Sequence, residues 1–246
     1  MLGHEAVGKV IDISAGITKV KKYDKVILSW IKSTGINSDK PKYLLGKKII
    51  NAGYLTTFND YAVVSENRLT KVDQNVENNL CLLCADVLAT GFGNINNLLK
   101  LKPDKDILIL GAGGMGLGTI LASYLSGANH ICSVDLYKFK LENSNLYGAN
   151  KNYIYEKEFS VDENVLKFHS NNNISFDYVV DFTGNSKLIE FGFKLSKSKG
   201  KILLAGVMKH SEQLSINTLD ITLGKSIIGS VGGGAFPEED FDKFID

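Results

Sequence analysis

Residues Asp106–Asp135 read DILILGAGGMGLGTILASYLSGANHICSVD, and the remainder of the 246-residue chain falls into place around them. Ile107–Leu110 is an apolar run with charge before it and glycine after it, the pattern of a strand buried on both faces. Gly111, Gly113 and Gly116 follow as G-x-G-x-x-G. Thr119–Leu125 continues at helical spacing, Gly127 stops the helix, and a second short strand, Ile131–Val134, ends at Asp135. Gly111 permits a tight turn, Gly113 lets backbone approach a pyrophosphate, and Gly116 lets helix and strand pack closely. Free N–H groups and the dipole at the helix start favour that anion. Asp135, about 20 residues on, can accept hydrogen bonds from an adenosine ribose. This order predicts dinucleotide binding; the alternative is a doubly wound sheet whose glycines only turn the chain.

Downstream, strands and helices alternate. Helices are predicted over 137–147, 161–169 and 187–195. Strands are predicted over 153–155, 176–181, 201–205 and 227–230, with an uncertain one over 216–219. Apolar strands alternating with helices imply a parallel sheet covered on both faces, an α/β class. Upstream, short strands and turns dominate. Strands are predicted over 7–13, 26–30 and 58–64, a loop or lobe over 33–51, and a helix over 90–99 after an apolar run at 80–88.

Composition narrows the function classes. A hydrophobic content of 44% and a charged content of 22% are ordinary for a globular protein. Formal net charge is +1, which argues against nucleic-acid or anionic-membrane partners. Arg68 is the only arginine, so bidentate arginine clamps are not available. No apolar run approaches the ~18 residues of a membrane span, and the N-terminus does not read as a signal peptide. The three cysteines, Cys81, Cys84 and Cys132, are too few for a disulfide scaffold and suit a reducing cytoplasm.

GHEAVGKV at residues 3–10, YDKVI at 23–27, DVLATGFG at 86–93, the dinucleotide unit, DFTGN at 181–185, AGV at 205–207 and GSVGGG at 229–234 occur in one order. The chain thereby resembles the medium-chain zinc-dependent alcohol dehydrogenases over essentially its whole length. The stretch from Gly3-His4-Glu5 to Val26 looks like the family's zinc signature, departing from it at Ser14, where Gly or Ala is usual. Asp86 is similar to the ligand of the branch that includes secondary-alcohol and glutathione-independent formaldehyde dehydrogenases. The resemblance implies a GroES-like catalytic domain over 1–88, a Rossmann domain over 89–236 and a return to the first domain over 237–246. It also implies a homo-oligomer, dimer or tetramer. Against the family pattern both ends are short. The expected consequence is a chain that binds NADH but turns over alcohol poorly, because a zinc-ligand Cys and the proton relay would precede Met1.

The resemblance assigns one catalytic zinc to His4 and Asp86, with Glu5 ligating transiently or sitting behind the metal. Zinc is suited to a ring nitrogen, carboxylate oxygens and an open position. Read without it, Asp86 is a helix N-cap. No structural zinc is expected, since the lobe lacks cysteines; Cys81 and Cys84 read as core residues, Cys84 being a minor ligand candidate. Trp30 falls in the substrate pocket or packs beneath the lobe. Thr90, Met115 and Val207 flank the nicotinamide, and Gly114, Thr183 and Gly206 belong to the cofactor segments. Lys140 reaches the ribose or is solvated. The expected activity is hydride transfer between a small secondary alcohol or polyol and NAD, NADP being disfavoured by Asp135. The alternatives are a zinc-free quinone or enone reductase and a non-catalytic dinucleotide-binding remnant.

Overall fold

The computed structural model describes residues 2–51 and 53–245. The chain divides into two compact units, Met1–Ala89 with Ala235–Asp246, and Thr90–Gly234.

The first unit holds a three-stranded antiparallel sheet of β1 (Glu5–Lys9), β2 (Lys25–Ser29) and a later strand, and a separate hairpin of β3 (Lys42–Leu45) and β4 (Lys48–Asn51). The later strand is β5 (Leu69–Val72), so β2 lies in the middle with every residue buried. Glu5 pairs with Ser29 and Lys9 with Lys25, which sets the start of β1 beside the end of β2. Helix α1 (Asn78–Cys84) packs on this sheet: Cys81, Cys84 and Ala85 form a cluster with Ile27, Val72 and Phe241 from the C-terminal helix Pro237–Ile245. Glu66 ties the irregular segments together, its carboxylate accepting from the backbone N–H groups of Thr18, Lys19 and Ile36.

Helix α2 (Val87–Gly93) carries the chain into the second unit and runs on into a wide turn, Asn94–Leu99. There the elements are β6 (Ile107–Leu110), α3 (Gly114–Leu125), β7 (Ile131–Asp135), α4 (Lys138–Leu146), β8 (Lys151–Ile154), α5 (Val161–Asn171), β9 (Phe176–Asp181), α6 (Ser186–Leu195), β10 (Ser196–Leu204), α7 (Thr218–Thr222) and β11 (Ser226–Gly229). The six strands form one parallel sheet in the order β11-β10-β9-β6-β7-β8. This is the doubly wound order, with its switch point between β6 and β9. Side chains of β6 alternate between two cores: Leu108 and Leu110 join one cluster, Ile107 and Ile109 the other, all four fully buried. Each such burial stabilises by about 1.5–3 kcal/mol.

Several predicted elements differ. The lobe at 33–51 contains the hairpin β3–β4, turned at Gly46 in the left-handed region. Residues 58–64 form no strand: Phe58, Tyr61 and Val63 stay exposed, and Thr57 and Phe58 donate only to the Leu2 carbonyl. Residues 216–219 form no strand, because the Asn217 side chain accepts from the Leu219 N–H and caps α7. The first strand begins at Glu5 and ends at Lys9, leaving Ile11 and Ile13 exposed. The helix predicted from Thr90 begins at Val87.

Candidate active site

Two groups of side chains assemble, one in each unit. In the first unit, Gly3 adopts φ +89, and a Cβ there would lie 2.3 Å from Thr57 Oγ1, so the turn ahead of His4 requires glycine. Asp86 sits between α1 and α2. Ser29 at the end of β2 donates its hydroxyl to the Ala85 carbonyl at 2.6 Å, holding that junction against the sheet. The antiparallel register then brings His4, Glu5 and Asp86 together across 82 residues of chain. One ligand atom from each lies within 4.8 Å of the other two.

His4 Nε2 is 3.2 Å from Asp86 Oδ2, and Trp30 Nε1 donates to the same oxygen at 2.8 Å. The His4 side chain is 55% exposed and that of Asp86 10%, so a ligand can approach along the imidazole while the carboxylate stays fixed. Burial raises the Glu5 carboxyl above its ordinary range; the Asp86 charge adds to this and His4 opposes it. A ring nitrogen and two carboxylates converging within 4.8 Å suit a divalent metal such as zinc. Cys84 stands apart from this donor set: it is buried in the core, and burial pushes its thiol up to about 12. Cys81 is buried beside it.

In the second unit, a cleft of about 650 Å³ opens at the carboxyl ends of β6, β7 and β9. Gly111, Gly113, Gly114, Met115, Gly116, Asp135, Lys140 and Thr183 all line it. Gly111 has φ +97, and a Cβ on Gly116 would lie 2.0 Å from the Gly111 carbonyl oxygen. At Gly113 a Cβ would meet nothing within 4 Å, which leaves the space a phosphate needs. No side chain caps α3, so the N–H groups of its first turn face that space unspent. This cradle fits a dinucleotide pyrophosphate.

Asp135 is 8% exposed. One carboxylate oxygen accepts from Ala112 N–H at 2.9 Å, the other from Leu136 and Tyr137. Lys140 Nζ is 3.5 Å from it, so this lysine is ion-paired at the cleft rather than freely solvated. Thr183 is held by Asp181, which accepts from both its N–H and its hydroxyl and from Gly184 N–H. Gly206 packs on that turn, where a Cβ would lie 2.3 Å from Gly184 N. The cleft wall includes neither Gly206 nor Val207, whose side chain is 94% exposed. Thr90 is buried, its carbonyl against Gly233.

Sequence reasoning missed Ser29 as the anchor of Ala85 and Trp30 as a donor to Asp86. The hydroxyl ending an otherwise apolar buried strand, KVILS, was the available signal for Ser29.

The chain aligns over its full length with alcohol dehydrogenase 6 of Peromyscus maniculatus at 28% identity, covering 72% of that protein. Benzyl alcohol dehydrogenase of Acinetobacter calcoaceticus superposes with a TM-score of 0.81 at 22% identity, over 99% of this chain and 72% of the other. Alcohol dehydrogenase TADH of Thermus sp. ATN1 gives 0.77 at 20% identity, over 98% and 71%. These structural likenesses establish the shared fold. The zinc-binding dehydrogenase profile matches residues 114–246, more than half of the chain, and on that ground the chain belongs to the zinc-binding dehydrogenase family.

Proposed function

We propose that this chain is an oxidoreductase acting on a small alcohol, a secondary alcohol or polyol, or on the matching carbonyl compound. Its cofactors are NAD and one zinc ion. The convergence of His4, Glu5 and Asp86 within 4.8 Å carries the reading, since two of these residues are 82 positions apart and charge alone does not draw three such groups together. When bound, the metal supplies Lewis-acid chemistry to an alcohol oxygen and the nicotinamide accepts the hydride. The protein's part is to hold and orient. Asp86 is fixed by Trp30, His4 is presented by the Gly3 turn, and Glu5, with a raised affinity for a proton, would help hold a metal bound by the three. In the other unit the glycine turn and α3 bind the pyrophosphate, while Asp135 and Lys140 meet the adenosine ribose. We read the exposed edge at β11, the last strand of the sheet, as the place where a second copy pairs.

The test is to measure zinc by elemental analysis, NADH by fluorescence titration, and oxidation of secondary alcohols. His4→Ala and Asp86→Ala are each expected to weaken zinc by more than about 100-fold, beyond the 10–100-fold typical of outer-sphere changes. NADH binding should be unchanged in both. Retention of stoichiometric zinc by either variant overturns the assignment.

A further inference from the structure

Trp30 follows directly on β2, and its side chain is half-buried. Its indole N–H donates to Asp86 Oδ2 at 2.8 Å, inside the normal range for an N–H···O bond. The residue behind that donor is itself fixed: Arg68, a buried guanidinium, donates to the Trp30 carbonyl. One position earlier, Ser29 donates to the carbonyl of Ala85, the residue before Asp86. The end of β2 therefore grips Asp86 through both its backbone and its carboxylate.

The two partners of Oδ2 would respond differently to a bound metal. His4 Nε2 lies 3.2 Å from Asp86 Oδ2. A metal that took His4 Nε2 as a ligand would use the ring nitrogen's lone pair, so the His4–Asp86 contact would be given up. The indole N–H cannot ligate and cannot lose its proton in water. It keeps its bond to Oδ2, and Asp86 remains in one orientation.

We propose that Trp30 is a positioning residue for a metal ligand, setting the orientation of Asp86 and with it the affinity of the site, rather than a wall of the substrate pocket. This rests on the reading of His4, Glu5 and Asp86 as a metal site. Trp30 is the only tryptophan in the chain, so all tryptophan fluorescence comes from the residue that donates to Asp86.

The same singularity permits a test that deletes one hydrogen. Expression in a tryptophan auxotroph with benzothienylalanine replaces the indole N–H by sulfur at position 30 and nowhere else. Zinc affinity is then read by competition with a chromophoric chelator, and the cobalt(II)-substituted protein by its visible absorption. NADH titration checks that the other unit is folded. The benzothienyl protein is expected to bind zinc about 10–100-fold more weakly, as losing an outer-sphere partner does, and to show shifted cobalt bands. Trp30→Phe should behave likewise, and 7-azatryptophan, which keeps the N–H, should restore native affinity. In the unsubstituted protein, zinc should change the Trp30 emission.

Native zinc affinity and native cobalt bands in the benzothienyl protein overturn the proposal. So does an effect confined to KM for bulky alcohols, the mark of a pocket wall. Failure of the unsubstituted chain to take up zinc at all overturns the metal reading and this proposal with it, and is told apart from the other outcomes by the chelator assay alone.

Discussion

Asp135 holds more of the cleft than a ribose contact would require. Its two oxygens take the N–H groups of Ala112, Leu136 and Tyr137, so the carboxylate fixes the turn as well as lining the cleft. A 2′-phosphate placed there would meet a buried anion, with Lys140 3.5 Å from it and Lys157 and Lys187 elsewhere on the cleft wall. NADH is therefore expected to bind at least tenfold more tightly than NADPH, since a hydrogen bond to a charged acceptor is worth about 1.5–3 kcal/mol. Competitive titration measures the ratio, and tighter NADPH binding refutes it. At this scale the sequence was legible where a spacing encodes a contact. Asp135 follows from its distance to the glycines, and His4 and Asp86 from their motifs. The bonds from Trp30 and Ser29 to the Asp86 region join residues 56 positions apart, and no local pattern encodes such a pairing.

The glycine turn makes two opposite statements about adding one methyl group. At Gly116 a Cβ would press into the Gly111 carbonyl at 2.0 Å, so Gly116→Ala must move the turn or α3. At Gly113, with φ −83 and open space, the unliganded fold accepts alanine without strain. Gly116→Ala should lower the melting temperature and lose NADH binding together. Gly113→Ala should weaken NADH while leaving the melting temperature within about 1 °C, because 1 kcal/mol corresponds to several degrees in a domain of this size. Equal losses of stability in the two variants would contradict this. Elements of the parallel sheet were readable because strands buried on both faces announce themselves as continuous apolar runs. FNDYAVV at 58–64 alternates as a strand does, yet alternation only permits a strand; without a neighbouring ladder it stays irregular. At 216–219 a single side-chain cap, Asn217, outweighs the apolar pattern.

In the whole molecule, the C-terminal helix closes the first unit. Phe241 completes the cluster around Cys81 and Cys84, and Glu238 reaches Ser33, Thr34 and Lys19 near the front of the chain. Burial alone would raise the Glu238 carboxyl, but the two hydroxyls and the Lys19 ammonium outweigh it and hold it at about 2, against an ordinary 4.5. A depressed native value stabilises the fold above the unfolded value and is lost as pH falls through the native one. Glu238→Gln should thus cost about 1 kcal/mol near pH 7, a figure reduced for partial solvent exposure. The difference from the native chain should shrink between about pH 4.5 and 2 and vanish below. Urea unfolding across that range measures it, and a pH-independent difference would refute the ion-pair account.

The second unit is a single uninterrupted stretch, Thr90–Gly234, set inside the first, whose own chain is split around it. Its two ends already meet: Asn97 donates to the Gly234 carbonyl and Ser230 to Asn94. During synthesis, then, the second unit has all its residues before the first unit has its own. Residues 1–89 leave the ribosome first but must wait, unsealed, until Ala235–Asp246 arrives with Phe241 and Glu238. A nascent chain halted near Gly234 would present a finished parallel-sheet unit tethered to an open, apolar half-sheet for the quality-control machinery to find.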